Sequence, residues 1–226
     1  KNYQDAYKLT QNHGLKRGSD FAEAEFLAGW LSLVKLRNPS RAKTHFNNLK
    51  DGVSYPVSLS RAHYWLGRAN EAMNNYESQI EYAEAIKFPN TFYGFLAGQR
   101  LGGANMVVNL PYEPNPVHLR TEFEADPRIR AMHILGEAES ERFFTQFAFH
   151  LDDVLQTQEH LTLLAEISKK YGYMKPSIRA AKQASRFKGM LTESGYPMPD
   201  AIMSLPSKFD KAFVLAIARQ ESEFNY

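Results

Sequence analysis

The residues whose types and spacing could do chemistry sit together in Arg219-Gln220-Glu221-Ser222-Glu223. They follow a run from Lys211 to Ala218 that is apolar on every face once wound into a helix. Two carboxylates this close suggest the acid and base of a glycosidase. At about 100° per residue, however, Glu221 falls on the stripe of Phe213, Ile217 and Phe224. Glu223 is turned roughly 200° from it and faces Arg219, four positions back, as a solvent pair. The two glutamates therefore cannot close on one bond from both sides. Glu221 is the unusual one, a carboxylate at the end of an apolar ridge. Partial desolvation there would keep the carboxyl protonated near neutral pH, as a general acid requires. The competing reading makes Glu221 the first solvated residue where the helix emerges.

The other chemical groupings are weaker. His13, His45, His63, His118, His133, His150 and His160 form no HExxH or other ligand spacing, so no metal site is expected and satisfied histidines are the default. Gly98-Gln99-Arg100-Leu101-Gly102-Gly103 lacks the preceding strand and following Lys-Ser/Thr of a phosphate loop, and reads as a helix end with a C′ glycine. Tyr64, Trp65, Phe92, Tyr93 and Phe95 could stack on sugar faces, although packing between helices is the commoner use of such aromatics.

The elements that must position these residues are helices. Residues 20–37 carry Phe21, Ala24, Leu27, Ala28 and Leu31 at spacings of three and four, and a second helix starts near Ser40 with Ala42, Phe46 and Leu49. The layout repeats over 61–73 and 78–87, with Asn74-Asn75 between them. Residues 24–29 align with 62–67 at an offset of 38 that sets Phe26 on Tyr64 and Gly29 on Gly67, while the second helices align at 37. Ile134-Leu135-Gly136 echoes the same step. A period in the thirties resembles tetratricopeptide-like hairpins, which bury their apolar faces by stacking on neighbours.

Further helices are expected over 127–142, 141–155, 159–171 and 176–188. Residues 102–116 read as a long loop with a short extended piece at 106–110, and 189–206 as a Pro-rich linker. Ser207 with Asp210 reads as the capping box of the last helix, which is expected to be buried on all sides, either within the helical array or by a further core. The expected fold class is all-α.

Composition narrows the function classes. The net charge of +2 excludes the usual strongly basic nucleic-acid binder. The absence of Cys excludes a thiol nucleophile, a disulfide framework and Cys-ligated zinc. The longest apolar run, 212–218, is far short of a membrane span.

Ala216-Ile217-Ala218-Arg219-Gln220-Glu221-Ser222-Glu223-Phe224-Asn225 resembles the opening catalytic motif of soluble lytic murein transglycosylases, whose catalytic domain is similar to goose-type lysozyme. Residues 61–68, the 88–94 stretch with Leu101-Gly102, and Tyr196-Pro197-Met198-Pro199 also look like this family, so the resemblance covers most of the chain from about residue 24. It implies an α-superhelix of stacked helical hairpins over 1–195, then a junction and the first helix of a lysozyme-like domain over 196–226.

The implied reaction breaks the β-1,4 bond between N-acetylmuramic acid and N-acetylglucosamine without water. By the resemblance, Glu221 protonates the leaving oxygen and then takes the proton of the muramoyl C6 hydroxyl, which closes onto C1 as a 1,6-anhydro sugar. One carboxylate suffices because the substrate brings its own nucleophile. Ser222 is implied as a supporting substrate-binding group, the alternative being a serine on the helix surface. No cofactor is implied. The implied partners are peptidoglycan glycan strands and cell-wall synthesis or secretion proteins, in the periplasm at the cell wall or outer membrane. The family's Gly-Leu-Met-Gln stretch and later groove-lining motifs do not occur within these residues, so the fragment alone is expected to be inactive. The alternative function is a non-catalytic helical scaffold that holds glycan strands or a partner protein.

Overall fold

Asparagine, aspartate and proline set where the helices begin. Asn38 accepts a hydrogen bond from the Arg41 amide at 3.0 Å, and Pro39 takes the first helical position, where no N–H is needed. Asp126 and Pro127 repeat this device, the Asp126 carboxylate accepting from the Arg128 amide at 2.8 Å. The computed structural model describes residues 2–102, 113–187 and 191–224, and every regular element among them is helical. The protein is all-α.

Contacts divide it into two compact units, Lys1–Asn109 and Leu110–Tyr226. The first holds α1 (Tyr3–Gln11), α2 (Ser19–Trp30), α3 (Pro39–Gly52), α4 (Pro56–Ala72), α5 (Glu77–Ile86) and α6 (Phe92–Gly102). The helix expected over 20–37 is α2 followed by a π turn at Leu31–Lys35, closed by the Leu36 amide on the Leu31 carbonyl at 2.9 Å. From α2 to α6 each helix packs on the next in sequence. The repeated glycines explain the closeness of these pairs. A Cβ on Gly29 would lie 2.4 Å from the ring of Phe46 in α3, and one on Gly67 would lie 2.5 Å from the ring of Tyr82 in α5. Each glycine is therefore a seat for an aromatic ring of the following helix.

The second unit holds α7 (Val117–Ala125), α8 (Pro127–Glu137), α9 (Glu141–Val154), α10 (Gln158–Lys170), α11 (Met174–Ala184), the single turns α12 (Thr192–Gly195) and α13 (Asp200–Met203), and α14 (Lys211–Glu221). Phe144, Met132, Leu151, Leu161, Leu164 and Leu191 are fully buried at its core. Gly136 uses the same device as the first unit, since its Cβ would lie 2.5 Å from Tyr171. The extended piece expected at 106–110 lies outside the described residues.

Two expectations for the last helix are corrected. Asp210, not Ser207, is its N-cap, accepting from the Phe213 amide at 3.2 Å, because 207–209 form a turn ahead of it. No residue of α14 is buried, and Phe213 and Ile217 remain 64% and 47% exposed. An apolar sequence favours burial, but burial also needs an opposing surface, and none of the described helices covers this stripe.

Candidate active site

Phe213, Ile217 and Glu221 stand four residues apart, one above the other on α14, so an exposed apolar stripe ends in a carboxylate. Glu221 is itself exposed and has no ionic or hydrogen-bonding partner among the described residues. The desolvation expected for it is therefore not supplied by this surface. Ser222 caps the helix, and its hydroxyl donates to the Ala218 carbonyl at 3.0 Å.

The flanking residues fix this end of α14. Arg219 does not pair with Glu223 as the spacing suggested. Its Nε donates to the Gly195 carbonyl at 2.6 Å and its guanidinium stacks 4.1 Å from the centre of the Tyr196 ring. Glu223 pairs with Lys182 of α11. The physical reason is that helical geometry ends at Glu221. Glu223 and Phe224 are left-handed, with φ of 52° and 58°, so neither continues the helical angle count. That turn takes Phe224 off the stripe and buries it to 3% exposure. Two consecutive left-handed non-glycine residues cost free energy and persist only where the surroundings hold them. Arg219, Glu223 and Phe224 thus anchor the C-terminal end of α14 within its unit, while Glu221 and Ser222 stay open to solvent.

His13, His45, His63 and His133 are held by acids. The Glu25 carboxylate, 6% exposed, lies 2.7 Å from His45 Nδ1 and 3.1 Å from His13 Nε2, and His45 Nε2 meets the Tyr7 hydroxyl at 3.0 Å. His13 Nδ1 accepts from the Leu15 amide at 3.0 Å, which leaves Nε2 to donate to Glu25. Every heteroatom in this cluster has a partner, so it fastens α1 to α2 and α3 and has no open position for a ligand. His63 sits 2.7 Å from Glu81. Among the described residues no group of three or more His, Asp or Glu could hold a metal ion.

The aromatics divide by depth. Tyr64 is core at 5% exposure, and Trp65 packs against Phe26, Phe46, Tyr64 and Tyr93. Phe92 and Phe95 are exposed on α6. No described helix is long and apolar enough to cross a membrane. No family model matches the chain, and neither the curated proteins nor the solved structures give a match.

Proposed function

We propose that Glu221 is the acid and base of a peptidoglycan lytic transglycosylase and that α14 is the first helix of its catalytic domain. The observation that carries this reading is the Ala216–Asn225 motif together with an unpaired carboxylate at the end of an exposed apolar stripe. An acid that must first give and then regain a proton cannot be committed to a salt bridge, and Glu221 is the uncommitted one of the two glutamates. The apolar stripe beside it is surface that the rest of a lysozyme-like domain would cover, which would also supply the desolvation a general acid needs. In this reading Ser222 orients the sugar and Arg219 holds the helix end against Gly195 and Tyr196. The two-helix steps of the first unit, each seated by a glycine, favour a superhelix that presents glycan strands or partner proteins of the periplasm to that domain.

The test is to incubate purified sacculi with the product of the full open reading frame, as wild type and as Glu221→Gln, and to identify the soluble muropeptides by mass spectrometry. The wild type releases 1,6-anhydro-muramoyl ends. Glu221→Gln releases none, yet still sediments with sacculi. Equal release from the two would remove Glu221 from the mechanism. Retained binding with no cleavage by either would leave the scaffold reading.

A further inference from the structure

The second unit contains a cavity that the reading above does not use. It lies between α7, α8 and α10 and has a volume of about 250 Å³. Side chains at 120, 123 and 124 of α7 face those at 163, 166, 167 and 170 of α10, in each case the i, i+3, i+4 stripe of its helix. The space is a cleft open to solvent, with the half-exposed Arg120, Glu124 and Glu166 at its rim. It is smaller than the roughly 300–1,000 Å³ of pockets for drug-sized ligands, which suits an occupant the size of one amino acid.

Its chemistry is divided. Phe123, Leu163 and Ile167, at 5%, 2% and 5% exposure, make an apolar floor. At the mouth each acid already has a partner. Glu166 accepts from Arg120 Nη2 at 2.7 Å, and Glu124 lies 2.7 Å from His133 Nε2, whose Nδ1 is held by the Tyr171 hydroxyl at 2.8 Å. Lys170 differs. Its ammonium rests 4.9 Å from the centre of the Tyr171 ring and has no carboxylate among the described residues. An incoming ammonium would have to compete for carboxylates already engaged. An incoming carboxylate finds one cation without an anion, and a second, Arg120, with donors to spare.

We infer that this cavity binds an N-acylated amino acid with an apolar side chain, free or as the last residue of a peptide. The side chain would rest on Phe123, Leu163 and Ile167, with the carboxylate at Lys170 and Arg120. Blocking the amine matters because the free amine would bring a charge that the site has no unengaged acid to meet.

The experiment is a titration of the isotopically labelled 226-residue chain with N-acetyl-L-leucine, N-acetyl-L-leucinamide, L-leucine and an N-acetylated tetrapeptide ending in leucine, followed by amide shifts in two-dimensional NMR. N-acetyl-L-leucine is expected to give saturable shifts at Phe123, Leu163 and Ile167. The amide and free leucine should bind more weakly by about tenfold or more, since each lacks or offsets a charge-assisted contact. Lys170→Met should weaken the acid about as much and Lys170→Arg should restore it. Lys170 is exposed, so either variant keeps the fold, which the unshifted core amides report. A tetrapeptide that binds as well as the small acid identifies a chain terminus as the source, and one that does not identifies a free metabolite. No saturable shift with the acid, equal binding of acid and amide, or an unchanged affinity in Lys170→Met would overturn the inference.

Discussion

Glu221 and Arg219 share one helical turn but meet different surroundings, and that difference follows from what each can reach. The long Arg219 side chain reaches back to a carbonyl and a ring outside its own helix, whereas Glu221 reaches only water. Other acids are committed to structure. Asp126 both caps α8 and takes three further hydrogen bonds from the Arg128 guanidinium, the closest at 2.6 Å from Nη2. Those contacts hold its carboxyl below the usual carboxylate range. A group whose folded pKa is depressed stabilises the fold above the unfolded value and loses that contribution as pH falls through the folded one. Asp126→Ala should therefore lower unfolding free energy by about 1 kcal/mol at pH 7, in line with a lost N-cap. The deficit should shrink progressively below about pH 4, where the carboxyl of the unfolded chain takes up a proton before the folded one does. Urea denaturation at pH 7 and pH 3 measures both.

At the scale of elements, the controlling contact is a glycine on one helix under a ring of another. Gly67→Ala would gain about 1 kcal/mol of helix propensity but would place a methyl 2.5 Å from Tyr82, and overpacking of this kind costs about 1–3 kcal/mol. Net destabilisation is expected, and combining it with Tyr82→Leu should cost less than the sum of the two single changes, because the smaller side chain vacates the seat. Urea curves followed by tryptophan fluorescence give the coupling. The glycines were legible in the sequence as a repeat, but their partners were not. An alignment at one offset of 37 sets Phe46 against Ala83, whereas the ring that fills the second seat is Tyr82. Glycine and ring are 17 residues apart in the first hairpin and 15 in the second, with the π turn in the longer stretch, so the register shifts by two residues from the glycine alignment while the seat is kept. Helix α7 is hidden in the sequence because Pro116 reads as the end of a loop, whereas it is the N-cap of the next helix.

For the whole molecule, each compact unit has a core of its own, so unfolding is expected to occur in more than one step. Trp30 and Trp65 both belong to the first unit, which makes tryptophan fluorescence a probe of that unit alone. Phe144 is fully buried in the second unit against Tyr171 and Tyr173. Phe144→Ala should cost about 3–5 kcal/mol in that unit and move the circular-dichroism transition that follows it. The fluorescence midpoint should stay where it is. A fluorescence shift equal to the circular-dichroism shift would mean that the chain melts as one cooperative body.

The all-α class, most of the helices and the acidic motif could be read from the chain because they depend on local quantities: the spacing of apolar residues, the residues that cap or break a helix, and the order of side chains along one turn. Other features needed the folded arrangement. That arrangement moved Arg219 from Glu223 to Gly195, took Phe224 off the helix stripe, left Phe213 and Ile217 of α14 uncovered and opened a cleft among α7, α8 and α10. Each of these depends on which distant surface comes opposite a given side chain. Periodicity assigns a residue to a face of its helix, and only the packing of the other helices decides whether that face meets water, a ring or a charge.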